Sequence, residues 1–207
     1  MNPSFNEEKK LSKRGYKRVA GLDEAGRGPL AGPVVACAVI TDFRRFGPAL
    51  AGSNLKNIKD SKKLSPKRRE EFYKILTRHP AIKWGVGRVS EKVIDEINIL
   101  EATKLAMKKA VEKLKKKPDF LILDGKMKLD LPTAQKSIVK GDEKVFSCAA
   151  ASIIAKVYRD RVMRKYHKKY RLYGFGKHKG YPTKYHYRMI RKHGPCQIHR
   201  KSFTLLK

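Results

Sequence analysis

Four acids stand where apolar runs stop, and their type suggests carboxylate and metal chemistry. Asp23 and Glu24 close the first apolar stretch of VAGLDEAGRGPLAGPVVA (residues 19–36), Asp124 closes LILD, and Asp142 lies in KGDEKV just before a run of small apolar residues. Neighbouring strands that end on the same side of a sheet bring their last residues together, which is where open α/β sheets build sites. Clustered carboxylates repel one another unless neutralised, and hard divalent ions such as Mg²⁺ or Mn²⁺ suit an all-oxygen shell better than zinc does. Simpler readings exist for two of the acids: Asp124-Gly125 is an ordinary turn pair, and Asp142 suits a helix N-cap. Asp23-Glu24 is harder to dismiss. Adjacent strand residues face opposite sides, so two acids ending an apolar strand put at least one of them toward something buried or charged.

Around these acids lie residues suited to holding a substrate. Gly26 and Gly28 let backbone approach a ligand closely or simply make the turn before Pro29, and Arg27 equally suits a pairing with a surface acid. Tyr181, in HKGYPT, offers an aromatic face or a half-buried packing role. Lys62 and Lys63, in DSKKLS, suit phosphate contacts or plain solvation, as do Lys179 and Lys184. His193, Cys196 and His199 resemble part of a zinc site but lack a fourth ligand. GFGKHKG lacks the Gly-Lys-Ser/Thr ending and the preceding strand of a nucleotide-binding loop.

The elements that must carry these residues are legible in outline. RVAGLD and PVVACAVITD read as two early strands joined across a Gly/Pro bend, and IKWGVGRVS and DFLILDG read as further strands. Ser65-Pro66 opens a helix carrying Phe72, Ile75 and Leu76. Residues 94–117 read as a helix or a close pair, KSIV as a short strand, the stretch from KGDEKV to Tyr170 as the longest helix, and the residues after Pro182 as a last one. Helix followed by buried strand indicates a β-α-β arrangement, with helices against a mixed sheet in an α/β fold.

Composition narrows the partner. Lys and Arg number 50 against 19 Asp and Glu, a formal charge of +31 over 207 residues, which favours an anionic partner such as nucleic acid. Hydrophobic residues make up 41% of the chain, enough for one core. The three cysteines are widely spaced and form no disulfide framework, which fits a reducing compartment. With no apolar run of about eighteen residues and a polar, Lys-rich start, the expectation is a soluble cytoplasmic protein without a membrane partner. Residues 1–16 are expected to be a flexible basic segment, and 17–207 one folded unit whose portion from about 165 onward is helical.

GLDEAGRGPLAGPVV resembles the signature of the type 2 ribonucleases H, the ribonuclease HII family. DSKKLS (60–65), INILEAT (97–103), LDGK (123–126), KGD with AAASIIAKVYRD up to Asp160, HKGYPT (178–183) and HRKSF (199–203) also resemble family segments, in family order. The resemblance implies an RNase H-like fold with a C-terminal helical extension that helps hold substrate. It further implies that Asp23, Glu24, Asp124 and Asp142 bind two divalent ions, Mn²⁺ or Mg²⁺. The implied activity is cleavage of the RNA strand of RNA/DNA hybrids and cutting 5′ of single ribonucleotides in duplex DNA, as in ribonucleotide excision repair, leaving 3′-hydroxyl and 5′-phosphate ends. On the same grounds Gly26, Arg27 and Gly28 contact the 2′-hydroxyl, Tyr181 packs on the neighbouring sugar, and Lys62 holds a phosphate. SFTLLK contains no sliding-clamp peptide of the Gln-rich, aromatic-ended type, and a monomer is expected. A DNA-cutting RNase H-like transferase and a basic RNA-binding protein whose acids are caps and turns are the competing readings.

Overall fold

Val19–Ala25 forms strand β1, buried except at Glu24. It lies at the centre of a five-stranded sheet in a computed structural model that describes residues 2–46, 58 and 64–205. The sheet order is β3-β2-β1-β4-β5, where β2 is Val34–Thr41, β3 Ile82–Val89, β4 Phe120–Asp124 and β5 Ala134–Ile138. β1 and β3 pair antiparallel with β2, while β1 with β4 and β4 with β5 are parallel, so the sheet is mixed. Lys62 and Lys63 lie outside the described residues.

The strand pleat sorts side chains to two faces, and each face has its own helices. Ala20, Leu22, Val34, Ala36, Ala38, Leu121 and Leu123 pack against Ile94, Ala102, Ala106 and Met107 of helix α3 (Glu91–Glu112). On the other face Val35, Cys37 and Val39 meet α5 (Phe146–Lys169) and Phe72 and Leu76 of α2 (Pro66–Arg78). Strands covered on both faces can be apolar at every position, which is why β2 reads as an unbroken hydrophobic run. The small residues Ala149, Ala150 and Ala151 are fully buried and let α5 lie close to the sheet.

Helix ends follow local chemistry. Ser65 caps α2 by accepting from the Arg68 N–H (3.2 Å), with Pro66 at the first helical position. The stretch read as a helix or a close pair is a pair: Asn98 has φ 64°, breaks α3, and caps its second part through bonds from the N–H groups of Leu100 (2.9 Å) and Glu101 (3.1 Å). Val145 adopts extended backbone and separates the short helix α4 (Gly141–Lys144) from α5. Thr183 caps the last helix, α7 (Lys184–His193), after the single turn α6 (Phe175–His178).

The expectation of a flexible first sixteen residues is corrected. Asn6–Lys13 forms helix α1, and Leu11 is buried among Val19, Phe120, Ile122, Val145 and Cys148. One buried leucine contributes about 1.5–3 kcal/mol. Ser4 bridges Val145, and the buried Glu8 carboxylate accepts from the Ser147 N–H (3.0 Å) and hydroxyl (2.8 Å), serving the first turn of α5. Too few apolar residues occur there to set up a period, yet Leu11 and Glu8, with Phe5 against Phe146 and Tyr16 against Phe120, dock the segment.

Candidate active site and nucleic-acid interface

Three of the four expected acids converge at the carboxyl ends of the two central parallel strands. Leu22 of β1 is in register with Leu123 of β4, so Asp23 and Asp124 follow side by side. Both belong to the face that packs on α5. Asp142, in the first turn of α4, completes the set, and one carboxylate oxygen from each lies within 4.8 Å of the others. The Gly141 N–H donates to Asp124 Oδ1 (2.7 Å) and ties α4 to the end of β4. The residue at the cap position of α4 is Lys140, in the left-handed region, so Asp142 is not an N-cap.

Glu24 falls on the opposite face from Asp23 and lies outside this set of three. Its Oε1 is 3.5 Å from Arg27 Nη1, the pairing with an acid that the sequence left open for Arg27. Its charge still reaches Asp23. Burial first, then the negative charges of Glu24 and Asp124, push the Asp23 carboxyl well above the usual carboxylate range, against hydrogen bonds from Ser152 and the Glu24 N–H. A buried anionic cluster of this kind gains from a cation. Oxygens mutually within 4.8 Å come close to the roughly 4.2 Å between opposite ligands of an ion with bonds of about 2.1 Å, so the donor set fits a hard divalent ion.

Helix α5 links the acids to the predicted substrate contacts. Ser152, Lys156 and Arg159 fall on one stripe over two turns, about 10 Å. Ser152 bonds to Asp23, Lys156 pairs with Asp160 (2.8 Å), and the Lys156 ammonium and the Arg159 guanidinium lie 5.5 and 5.8 Å from the Tyr181 ring centroid. Tyr181 is 37% exposed. Lys179 turns inward instead, its ammonium held by the carbonyls of Gly176 and Lys177.

The two glycines flanking Arg27 differ. Gly26 has φ +103°, and a Cβ there would fall 2.1 Å from Arg159 Nε and 2.8 Å from the Pro33 carbonyl oxygen. A Cβ at Gly28 would meet nothing within 4 Å. The fold therefore requires glycine at the first position, whereas the second presents bare backbone to solvent.

Sequence reasoning missed two fully buried arginines beneath this loop. Arg159 donates to the carbonyls of Ala31 (3.1 Å), Pro33 (2.9 Å) and Lys179 (3.0 Å). Arg200 donates to those of Gly26 (2.6 Å), Arg27 (2.9 Å) and Gly32 (2.8 and 3.0 Å). Burial lowers Arg159 to about 10 and Arg200 to about 9, so both stay charged at neutral pH. Their presence inside AAASIIAKVYRD and HRKSF was visible, but not their burial.

His193, Cys196 and His199 do not assemble a zinc site: among the described residues the acids alone form a metal-suited group of three or more. His199 Nε2 instead meets His186 Nε2 at 3.0 Å, while His199 Nδ1 accepts from the Cys196 N–H (2.9 Å) and His186 Nδ1 donates to the Tyr181 carbonyl (3.0 Å). Burial lowers both histidines to about 4.

Comparison with known proteins decides the family. The family model described as Ribonuclease HII matches residues 20–206. The chain belongs to the ribonuclease HII family. The Ribonuclease HII of Acetivibrio thermocellus is 54% identical over 197 residues, covering 95% of this chain and 73% of that protein. The crystal structure of ribonuclease H2 from Pyrococcus horikoshii OT3 superposes with a TM-score of 0.71 at 29% identity, covering 91% of this chain and 95% of that one. An Archaeoglobus fulgidus RNase HII, solved in a complex with PCNA, gives 0.71 at 28% identity, covering 92% and 97%. The mixed five-stranded sheet with helices on both faces is thus an RNase H-like fold. As a ribonuclease HII the chain is an endoribonuclease acting on the RNA strand of RNA/DNA hybrids, in a family whose chemistry depends on divalent metal. Among the described residues no helix is long and apolar enough to cross a membrane.

Proposed function

We propose that this ribonuclease HII also incises duplex DNA on the 5′ side of a single embedded ribonucleotide, leaving a 3′-hydroxyl on the DNA and a 5′-phosphate on the ribonucleotide. The observation that carries the proposal is the convergence of three carboxylates from β1, β4 and α4, with an open glycine backbone in the loop that follows β1. Asp23, Asp124 and Asp142 would hold the divalent ions, with Glu24 flanking them from the other face of β1. Bound Mg²⁺ or Mn²⁺ would supply a lowered water pKa and charge neutralisation at the scissile phosphate.

The chain's own residues do the rest. Buried Asp23, anchored by Ser152, and Asp124, anchored by Gly141, need no reorganisation when substrate arrives. Bare backbone at Gly28 lets a ribose come within hydrogen-bonding reach, and the 2′-hydroxyl is what separates RNA from DNA there. Tyr181, whose ring is flanked by Lys156 and Arg159 of α5, offers its exposed face to the neighbouring deoxyribose. Lys and Arg elsewhere, Lys62 among them, supply affinity without reading bases.

The test is a duplex with one ribonucleotide beside the same duplex in all-DNA form, each with Mg²⁺, Mn²⁺ or chelator. Cutting only at the 5′ phosphodiester of the ribonucleotide, and only with metal, is expected. Equal cutting of the all-DNA duplex would overturn the proposal in favour of a DNA-cutting relative of the same fold.

A further inference from the structure

Two buried arginines whose hydrogen bonds all go to main chain need a reason, the Tyr181 ring beside Arg159 (5.8 Å) and the Phe203 ring beside Arg200 (5.0 Å) being their aromatic neighbours. Among the described residues, every hydrogen bond from Arg159 and Arg200 ends on a main-chain carbonyl. Both side chains are fully buried. The charge of Asp160 reaches Arg159 and those of Glu91 and Asp95 reach Arg200, yet burial outweighs them. Burying a charge is costly, and well-packed apolar side chains of similar volume often stabilise as much or more. What an apolar side chain cannot do is orient peptide planes. The planar guanidinium presents five donors in a fixed fork, and here each fork collects three carbonyls.

Orientation of those planes has a definite consequence. In a trans peptide the N–H points opposite to the C=O of the same unit. The Gly26 and Arg27 carbonyls point inward onto Arg200, so the N–H groups of Arg27 and Gly28 point the other way. Arg27 and Gly28 are exposed, and the space beside Gly28 is open. Two successive N–H groups therefore face the side from which a ribose or phosphate oxygen arrives.

Arg159 ties this loop to Tyr181. Its Nε occupies the place where a Gly26 side chain would be, its Nη2 and Nε hold Ala31 and Pro33, and its Nη1 holds Lys179, two residues before Tyr181. The Leu30 N–H bonds to the Gly180 carbonyl (2.8 Å), and the Arg200 N–H to the Leu30 carbonyl (2.8 Å), closing the link from the other side.

We propose that Arg159 and Arg200 are positioning residues for ribose recognition: Arg200 aims the Arg27 and Gly28 N–H groups at the substrate, and Arg159 sets their distance from Tyr181. The inference rests on the ribose-recognition role given above to Gly26–Gly28 and Tyr181. A merely structural pair of arginines would lower activity on every substrate in step with folding; a positioning pair alters selectivity.

Arg159→Lys and Arg200→Lys keep the charge and lose the fork. Each is measured for kcat and KM on a single-ribonucleotide duplex and on a long RNA/DNA hybrid, for duplex affinity in chelator, and for thermal unfolding. The single-ribonucleotide kcat/KM is expected to fall about tenfold more than that of the hybrid, the size of one well-made hydrogen bond, with duplex affinity unchanged. Equal losses on both substrates, or none, in a variant that unfolds cooperatively would overturn the proposal. If one variant does not fold, the other decides. A wild type that cuts the hybrid but spares the single ribonucleotide would refute the incision reading and leave this one to the hybrid. There, a kcat loss of about tenfold at unchanged KM supports it, and wild-type kcat overturns it.

Discussion

Substituting alanine at Gly26 and at Gly28 separates what the fold needs from what the substrate needs. At Gly26 an alanine must hold φ +103° and place its methyl 2.1 Å from Arg159 Nε and 2.8 Å from a main-chain oxygen. The left-handed backbone costs about 1–2 kcal/mol and the overpacking about 1–3, so Gly26→Ala should lose roughly 2–5 kcal/mol. In a chain of this size that lowers Tm on the order of 10 °C. Neither penalty applies at Gly28, where Tm should hold within the shift expected for about 1 kcal/mol. Yet a methyl group on that open face meets the incoming sugar, so cutting at a single ribonucleotide should fall about tenfold or more, the loss of one hydrogen bond. Circular-dichroism melting and single-turnover cleavage on the same preparations give both readings. Gly28→Ala with wild-type cleavage would refute the assignment of Gly28 to ribose contact, and Gly26→Ala with wild-type Tm would refute the packing argument.

Asp23→Asn and Asp124→Asn should each nearly abolish cleavage while duplex binding persists or tightens, since a ligand charge is lost and repulsion of phosphate relieved; wild-type turnover at saturating Mg²⁺ would remove either from the site. Asp142→Asn should behave likewise with unchanged Tm, and full activity in Asp142→Asn together with a loss of about 1 kcal/mol of stability in Asp142→Ala would restore the helix-start role. His186 and His199, held neutral down to about pH 4 in the folded chain, take up protons near 6.5 once unfolded. Stability contributed by the pair is therefore fully present above 6.5 and is lost as pH falls toward 4, which urea unfolding at pH 7.5, 6 and 5 measures; an unchanged slope in His199→Gln would assign the effect elsewhere. Glu8→Ala removes two hydrogen bonds at the first turn of α5 and should cost about 1–3 kcal/mol, with a wild-type urea midpoint as the contrary result.

Much of the site and its scaffold was legible in the chain. β1, β2, β3 and β4 announce themselves as apolar runs bounded by turn residues, and Ser65-Pro66 and Pro182 mark helix starts through chemistry that acts within a few residues. The acids were visible as a type out of place at strand ends. The meeting of Asp23 and Asp124 follows from topology: β1 and β4 are parallel neighbours with Leu22 in register with Leu123, so the residues that follow them come together. Which acid of Asp23-Glu24 faces the others was undecided until the pleat was anchored by Ala20 and Leu22 packing on α3, which turns Asp23 toward α5 and Glu24 away.

Other features depended on partners far away in the chain. Arg159 and Arg200 look in sequence like any other basic residues of a chain with a large positive excess, because nothing near them signals burial. Their acceptors in residues 26–33 lie 126 to 174 positions away. Helix α1 was hidden for the same reason, since Leu11 and Glu8 acquire meaning only when β1, β4 and the start of α5 supply an apolar pocket and a free helix end. Local propensity and period act over a turn or a strand, so they determine elements and the chemistry at their ends. Whether a charge is solvated or sealed beneath a loop depends on which distant main-chain groups surround it, and only the packed chain brings those together.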